Sequence, residues 1–292
     1  MQLKEQKIPP FIEQNLFNLA ILGLLGIVYL PVILFWIDGW LNKSINIEHE
    51  YFSVALIGFP LAGYIVWEKR HQWQDLESKS HPIGISLLVI ATIFYLTDVR
   101  EFVNISFPIM LTGICLCLKG IKGLKLQFFP LVLVWLATPT SWPYLLTPHT
   151  LFLQKFIASF AGIILGILGM DVQVREIYLT MGDRVVEIAP YCAGLKMLFT
   201  SLYVALILLY WTQNLGDRTK VTIMLIGTTI ISVVGNILRN TLLSYLHGTR
   251  HDEMFKLIHD SWGGDLYSAA TLGLIILFMQ QLDQLSFEEH HN

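Results

Sequence analysis

A thiol, a guanidinium and an imidazole can together open an amide bond. The thiolate attacks the carbonyl, the imidazole takes up and returns the proton, and the cation holds the oxyanion of the tetrahedral intermediate. This chain carries such a set in the order Cys192, Arg239, His259, within EIAPYCAGLK, VVGNILRNTLLSYLHG and HGTRHDEMFKLIHDSWGG. Cys192 sits at the polar edge of an almost unbroken apolar run, Leu195–Trp211. A cation or a helix N-terminus beside it would lower its pKa, whereas apolar burial alone would raise it. Arg239 is the lone charge of the run 221–243, and an ionisable group inside a span marks function by default. The loop that follows holds His247, His251 and His259. Singly, each residue has a plainer reading as a filler cysteine, a snorkelling arginine and a solvated histidine. Only their convergence makes a site. Cys115 and Cys117, two apart in an apolar run, read as small packing residues, and three cysteines give no disulfide framework. His71 with His81, or His247 with His251, lack acidic ligands to complete a cage, and HEYF at 49–52 lacks the second histidine of a zincin, so neither metal nor cofactor is expected.

The elements that must position these groups are membrane spans. Of the 292 residues, 54% are hydrophobic and 14% charged, against about 25% charged in soluble domains. The mean hydropathy is +0.58. The net charge of -3 argues neither for nucleic acid nor for a polyanionic partner. The first apolar run, 16–37, exceeds the roughly 7–15 residues of a signal core and lacks a small-residue cleavage site, which argues against a signal peptide. Candidate spans fall at 16–37, 51–67, 82–97, 102–118, 127–141, 157–170, 195–211, 221–243 and 266–282. Lys69, Arg70 and Lys79 follow the second, Lys119, Lys122 and Lys125 the fourth, and Arg218 and Lys220 lie between the strong runs 195–211 and 221–243. By the positive-inside rule all three connectors, and the N-terminus with Lys4 and Lys7, are cytoplasmic. Three crossings cannot join two loops on one side, so one segment between 126 and 212 does not cross. The expectation falls on 141–162, rich in Trp142, Tyr144, His149, Gln154 and Lys155 and interrupted by Pro143 and Pro148, as an outer-face interfacial segment with at most a shallow re-entrant end at 163–170.

Eight crossings remain. Between the interfacial segment and Cys192, Val172, Val174, Ile177 and Leu179, then Val185, Val186 and Ile188, flank MGD as a short β-hairpin. The expected fold is an all-α polytopic membrane protein of about eight transmembrane helices, with that interfacial segment and hairpin before the cysteine. Residues 1–292 then form a single integral membrane domain, with N-terminal spans over 1–126 and a catalytic half over 127–292. With 212–220 inside, helix rise carries residues 192–211 across about 28 Å and 221–239 across about 27 Å. Cys192, Arg239 and the histidine loop therefore meet at the outer face.

The stretch LQKFIASFAGIILGILGMDVQVREIYLTMGDRVVEIAPYCAGLKML, followed by GNILRN and HDSWGG, resembles the exosortase/archaeosortase family over about the C-terminal half. The resemblance implies a membrane cysteine protease or transpeptidase, with Cys192 as nucleophile, Arg239 stabilising the transition state or substrate carbonyl, and His259 as acid/base. It implies substrate contacts at Lys196, Asn236 and Gly263. The family commonly has Ser after the Cys and Arg at the position of Lys196, whereas this chain reads CAGLK, a departure that bears on substrate preference more than on chemistry. The CAG variant and the want of an added C-terminal domain point to the cyanobacterial subgroup.

The implied partners are the lipid bilayer and exported proteins ending in a sorting tail, a Pro-Glu-Pro type motif followed by a transmembrane helix and a basic tail. The implied location is the cytoplasmic (inner) membrane of a bacterium, with the active site facing the periplasm. The residues alone also fit a membrane thiol-dependent acyltransferase, which would need a pocket for an acyl chain. A non-enzymatic channel or transporter predicts inverted repeats and midplane polar groups, and the sequence offers no convincing repeat.

Overall fold

In a bilayer every backbone polar group must find its partner within the chain, so apolar runs of this length become helices even across proline. The computed structural model describes residues 10–41, 52–190, 194–260 and 262–289. Five of its helical stretches are long and apolar enough to cross a membrane: Gly23–Leu41, Arg100–Leu126, Pro148–Ile167, Arg218–Gly248 and Trp262–Gln284. Four shorter apolar helices accompany them, Ala55–Glu68, Pro82–Leu96, Phe128–Ala137 and Leu195–Trp211. The chain is a predominantly α-helical, polytopic membrane protein. It forms two compact units, residues 1–140 and 141–292.

The first unit contains α1 (Pro10–Leu41), α2 (Ala55–Glu68), α3 (Arg70–Asp75), α4 (Pro82–Leu96), α5 (Arg100–Leu126) and α6 (Phe128–Ala137). Pro31, Pro60 and Pro108 lie inside helices. Its core is aromatic: Trp36 stacks on Phe59 at 5.9 Å, and Tyr29 and Trp36 both meet Phe107 edge-on. Polar ties cross that core, with Trp36 donating to Asn104 Oδ1 at 2.8 Å and Asn104 donating to the Pro139 carbonyl at 3.0 Å. Helices α4 and α5 approach closely because small residues face each other. A Cβ on Gly84 would stand 2.8 Å from Cys117 Sγ, and one on Gly113 2.9 Å from Leu88. Cys117 therefore serves helix packing, as a small side chain should.

The second unit contains α7 (Trp142–Leu146), a 3-10 turn (Thr147–Thr150), α8 (Leu151–Ile167), a three-stranded sheet, α9 (Leu195–Trp211), α10 (Arg218–Gly248), α11 (Asp252–Asp260) and α12 (Trp262–Glu289). The sheet pairs β1 (Gln173–Arg175), β2 (Tyr178–Met181) and β3 (Arg184–Glu187) in order, all antiparallel, with Met181 opposite Arg184 across the Gly182–Asp183 turn. The apolar run 172–179 is divided into two strands because Glu176 adopts φ 55 and reverses the chain.

The stretch 141–170, expected as an outer-face interfacial segment, is helical from Trp142 to Ile167. Residues 148–167 form one helical stretch long and apolar enough to cross a membrane. Pro148 does not break it, since it falls in the 3-10 turn that opens the helix, where its missing N–H costs nothing. Its polar residues are engaged by the protein: Gln154 is buried and donates to the Ile188 carbonyl at 2.8 Å, and Lys155 pairs with Glu176 at 3.0 Å.

Candidate active site

Cys192 lies outside the described residues, and the segments described on either side of it end at Pro190 and begin at Gly194. On the N-terminal side β3 leads into Ile188, whose N–H donates to the Ile177 carbonyl at 2.9 Å and extends the ladder by one bond. Ile188, 1% exposed, is packed with Ile157, Ala158 and Ala161 of α8, Leu179 of β2 and Ile237 of α10. Gln154 fixes the Ile188 carbonyl from the other side. The chain entering the cysteine is therefore held four residues upstream by a dry apolar cluster and a buried hydrogen bond.

On the C-terminal side Gly194 adopts φ 80, a left-handed conformation that costs glycine little. It lies directly on α10: a Cβ there would stand 2.6 Å from both Cγ and Nδ2 of Asn236. Asn236 is 2% exposed, and its carbonyl accepts from Asn240 Nδ2 at 2.9 Å. Lys196 lies half-buried in the first turn of α9. Cys192 thus stands two residues from a glycine seated against Asn236.

Arg239 comes one helical turn after Asn236 on α10. Its Nη2 lies 3.9 Å from where a Cβ on Gly264 would be, which places the guanidinium against the first turn of α12. Three residues along α12, the Tyr267 hydroxyl donates to the Gly235 carbonyl. Gly235 lets α9 and α12 close on α10 together, since a Cβ there would meet Met197 at 3.3 Å and Thr271 at 3.4 Å. Two of the expected substrate contacts, Asn236 and Gly263, hold backbone together. Asn236 seats Gly194, and Gly263 makes the tight passage from α11 to α12, where a Cβ would lie 2.8 Å from the Leu257 carbonyl.

His259 occupies the last turn of α11 and stacks on Phe255 with centroids 5.2 Å apart and planes 10° from parallel. Phe255 in turn meets His247 at 5.5 Å. His251 is turned away to Thr249, its Nδ1 2.8 Å from the hydroxyl. The three histidines are therefore distinct: one in the ring stack at the end of α11, one at the far side of that stack, and one engaged in an exposed turn.

The approach to α11 is held electrostatically. Arg184 at the start of β3 makes a two-pronged contact with the Asp252 carboxylate, at 2.6 and 3.2 Å, and donates to the His247 carbonyl at 2.9 Å. Arg250, with φ 63, reaches Asp183 at 2.9 Å. The Arg184 hydrogen bond holds Asp252 below the ordinary carboxylate range and raises Arg184 itself. A backbone hydrogen bond and the Arg250 charge lower Asp183 likewise. Arg184, Gln154 and Tyr267 are the residues that sequence reading missed. Only Gln154, a carboxamide inside an apolar run, gave a signal. Among the described residues no three His, Cys, Asp or Glu side chains gather as metal ligands would.

One end of α10 thus meets two segments of the expected site. Asn236 takes the Gly194 side, and Arg239 takes the α11–α12 junction that follows His259. The comparisons bear on the same segments. A family model described as transmembrane exosortase matches residues 36–276, which encloses Cys192, Arg239 and His259. Neither the curated proteins nor the solved structures gave a match. With the match running over most of its length, through the apolar helices, the sheet and the α10–α12 end, the chain belongs to the transmembrane exosortase family.

Proposed function

We propose that this protein is a membrane-embedded cysteine transpeptidase or protease that cuts C-terminal sorting signals of exported proteins at the outer face of the cytoplasmic membrane. The observation that carries this reading is the family match over residues 36–276. The geometry supports it through the two contacts of α10, Asn236 with Gly194 and Arg239 with Gly264. The Cys192 thiolate attacks the carbonyl of the scissile bond, and Arg239 holds the oxyanion with a planar fork of donors. His259, having taken the thiol proton, returns it to the leaving amine as the C–N bond breaks. An acceptor amine or water then attacks the thioester and regenerates the thiol.

The reading includes eight crossings, with Cys192, the sheet and the α10–α11 loop outside. The sheet lies along α8, from the Lys155–Glu176 ion pair to Gly162, where a Cβ would overlap Val174. Arg175, Glu176, Asp183, Arg184 and Glu187 on that sheet need water, so α8 runs beside an aqueous layer over much of its length and makes no full crossing of its own. Reporters fused after residues 190 and 252 should signal outside, and those after 73, 122 and 216 inside.

The deciding experiment uses a secreted reporter ending in a Pro-Glu-Pro type motif, an apolar helix and a basic tail. Cys192→Ala should abolish its cleavage at unchanged protein abundance, while Cys115→Ala with Cys117→Ala stays within about tenfold of the parent. Cleavage by Cys192→Ala would end the proposal.

A further inference from the structure

The hairpin turn and the loop after α10 are joined by two ion pairs in alternating order, Asp183 with Arg250 and Arg184 with Asp252. Arg184 does more than pair. Its Nη1 bonds both the Asp252 carboxylate and the His247 carbonyl, so one guanidinium spans the last turn of α10 and the first turn of α11. The backbone beneath is close and strained. A Cβ on Gly248 would stand 2.7 Å from Met181 Sδ, and Arg250 holds φ 63 without being glycine. Arg184 begins the strand that runs through Ile188 into Cys192, and Asp252 begins the helix whose other end is His259. Phe255, one turn into that helix, stacks on His259 and touches the His247 ring, so the frame around Arg184 continues to the imidazole.

We propose that Arg184 is a positioning residue for the reaction: by gripping Asp252 and the His247 carbonyl at once, it clasps the strand leading into the nucleophile to the helix bearing the acid/base. The inference rests on the functional reading above. The apolar cluster at Ile188 fixes the strand against α8 and α10, and α11 packs on α10 and α12, with Phe255 meeting the His247 ring. Arg184 adds a direct polar link from the strand to α11, beside the Asp183–Arg250 pair. Arg184 is the better buried partner, with 22% of its side chain exposed against 54% for Asp252, and its fork geometry is one that lysine cannot copy. A small shift between nucleophile and base is enough to slow the reaction, because rate depends steeply on alignment.

The experiment measures cleavage of the tailed reporter at increasing reporter levels, in membranes matched for enzyme. Arg184→Gln should lower the maximal rate about tenfold and leave half-saturation within about twofold, because orientation rather than substrate binding is lost. Asp252→Asn, which keeps the shape of the turn, should cost about threefold, as suits a partly exposed pair. Arg184→Asp sets two carboxylates face to face and should cost more. Adding Asp252→Arg should then recover several-fold as the ion pair returns, and stay below the parent, because a carboxylate at 184 cannot donate to the His247 carbonyl; the discriminating readout is the fall in maximal rate at unchanged half-saturation. Unchanged maximal rates in Arg184→Gln and Asp252→Asn, or no recovery in the swapped pair, overturn the clasp while Cys192→Ala remains inactive. Cleavage by Cys192→Ala overturns the functional reading, and the clasp's role with it.

Discussion

Gly194→Ala is the most direct test of the geometry around Cys192. Gly194 holds φ 80, where an alanine is strained by about 1–2 kcal/mol. Its new Cβ would stand 2.6 Å from the Asn236 carboxamide, which is buried and has little room to retreat. Overpacking of this kind costs about 1–3 kcal/mol, so the two effects together destabilise by about 2–5 kcal/mol. In a unit of this size that lowers the melting temperature by roughly 4–20 °C. The assay is thermal unfolding in detergent, alone and in a cycle with Asn236→Ala. Removing the carboxamide relieves the overlap but not the backbone strain, so the double variant should be more stable than additivity allows by about 1–3 kcal/mol. Reporter cleavage by Gly194→Ala should fall by about a hundredfold, the scale expected when the proposed nucleophile, two residues away, is displaced by about 1 Å. A melting temperature within about 2 °C of the parent, or a cycle with no coupling, would refute the reasoning.

Three further outcomes follow from the same site. Arg239→Lys should be nearly as damaging as Arg239→Ala, with cleavage reduced about a hundred- to a thousandfold, because an ammonium cannot replace a planar fork; activity within a few-fold of the parent would reduce Arg239 to an interfacial anchor. His259→Ala should lower turnover about 10²–10⁴-fold while His251→Ala, a residue engaged with Thr249 in an exposed turn, stays near the parent; equal losses would assign the effect to the loop rather than to one imidazole. Acidification should loosen the turn at 248–252. Asp252 and Asp183 have folded pKa values below the ordinary aspartate value of 3.8, so their contribution is complete above that value and is lost as pH falls through the lowered ones. Hydrogen exchange corrected for pH should show the turn opening below about pH 4 in the parent, and in Asp252→Asn a modestly faster exchange at neutral pH, with the Asp183–Arg250 pair and the Arg184 bond to the His247 carbonyl still in place.

The membrane helices were legible because lipid admits little else for a long apolar run, and Arg239 stood out as a lone charge within one. Other features are invisible to pattern. The Arg184–Asp252 pair joins residues 68 apart through a fold that sequence periodicity does not encode. Glu176 at φ 55 divides a run of alternating apolar residues that alone reads as one strand. Residues 141–162 read as interfacial from Trp142, Tyr144, His149, Gln154, Lys155 and two prolines, a pattern that does not reveal that Gln154 is buried against Ile188 or that Lys155 pairs with Glu176. A polar residue in a helix can face water, a partner in the chain, or both, and its spacing alone does not say which.

The basic loops that would orient the chain in the proposed topology have a second role in the finished fold. Lys119 is buried, and its ammonium donates to the Leu76 carbonyl and lies 3.5 Å from Ser78 Oγ, while Lys69 donates to the Leu126 carbonyl at 3.1 Å. Gly120, at φ 59, brings the same segment so close to Lys79 that a Cβ would stand 2.7 Å from its carbonyl oxygen. In the proposed topology, helices insert before they associate, so these lysines act first as charges that retain their loops on the cytoplasmic side. Once the helices assemble, the same ammonium groups become stitches between residues 69–79 and 119–126. Replacing Lys119 would therefore strike at two stages: a chain threaded in the wrong sense, or one threaded correctly whose first unit fails to close.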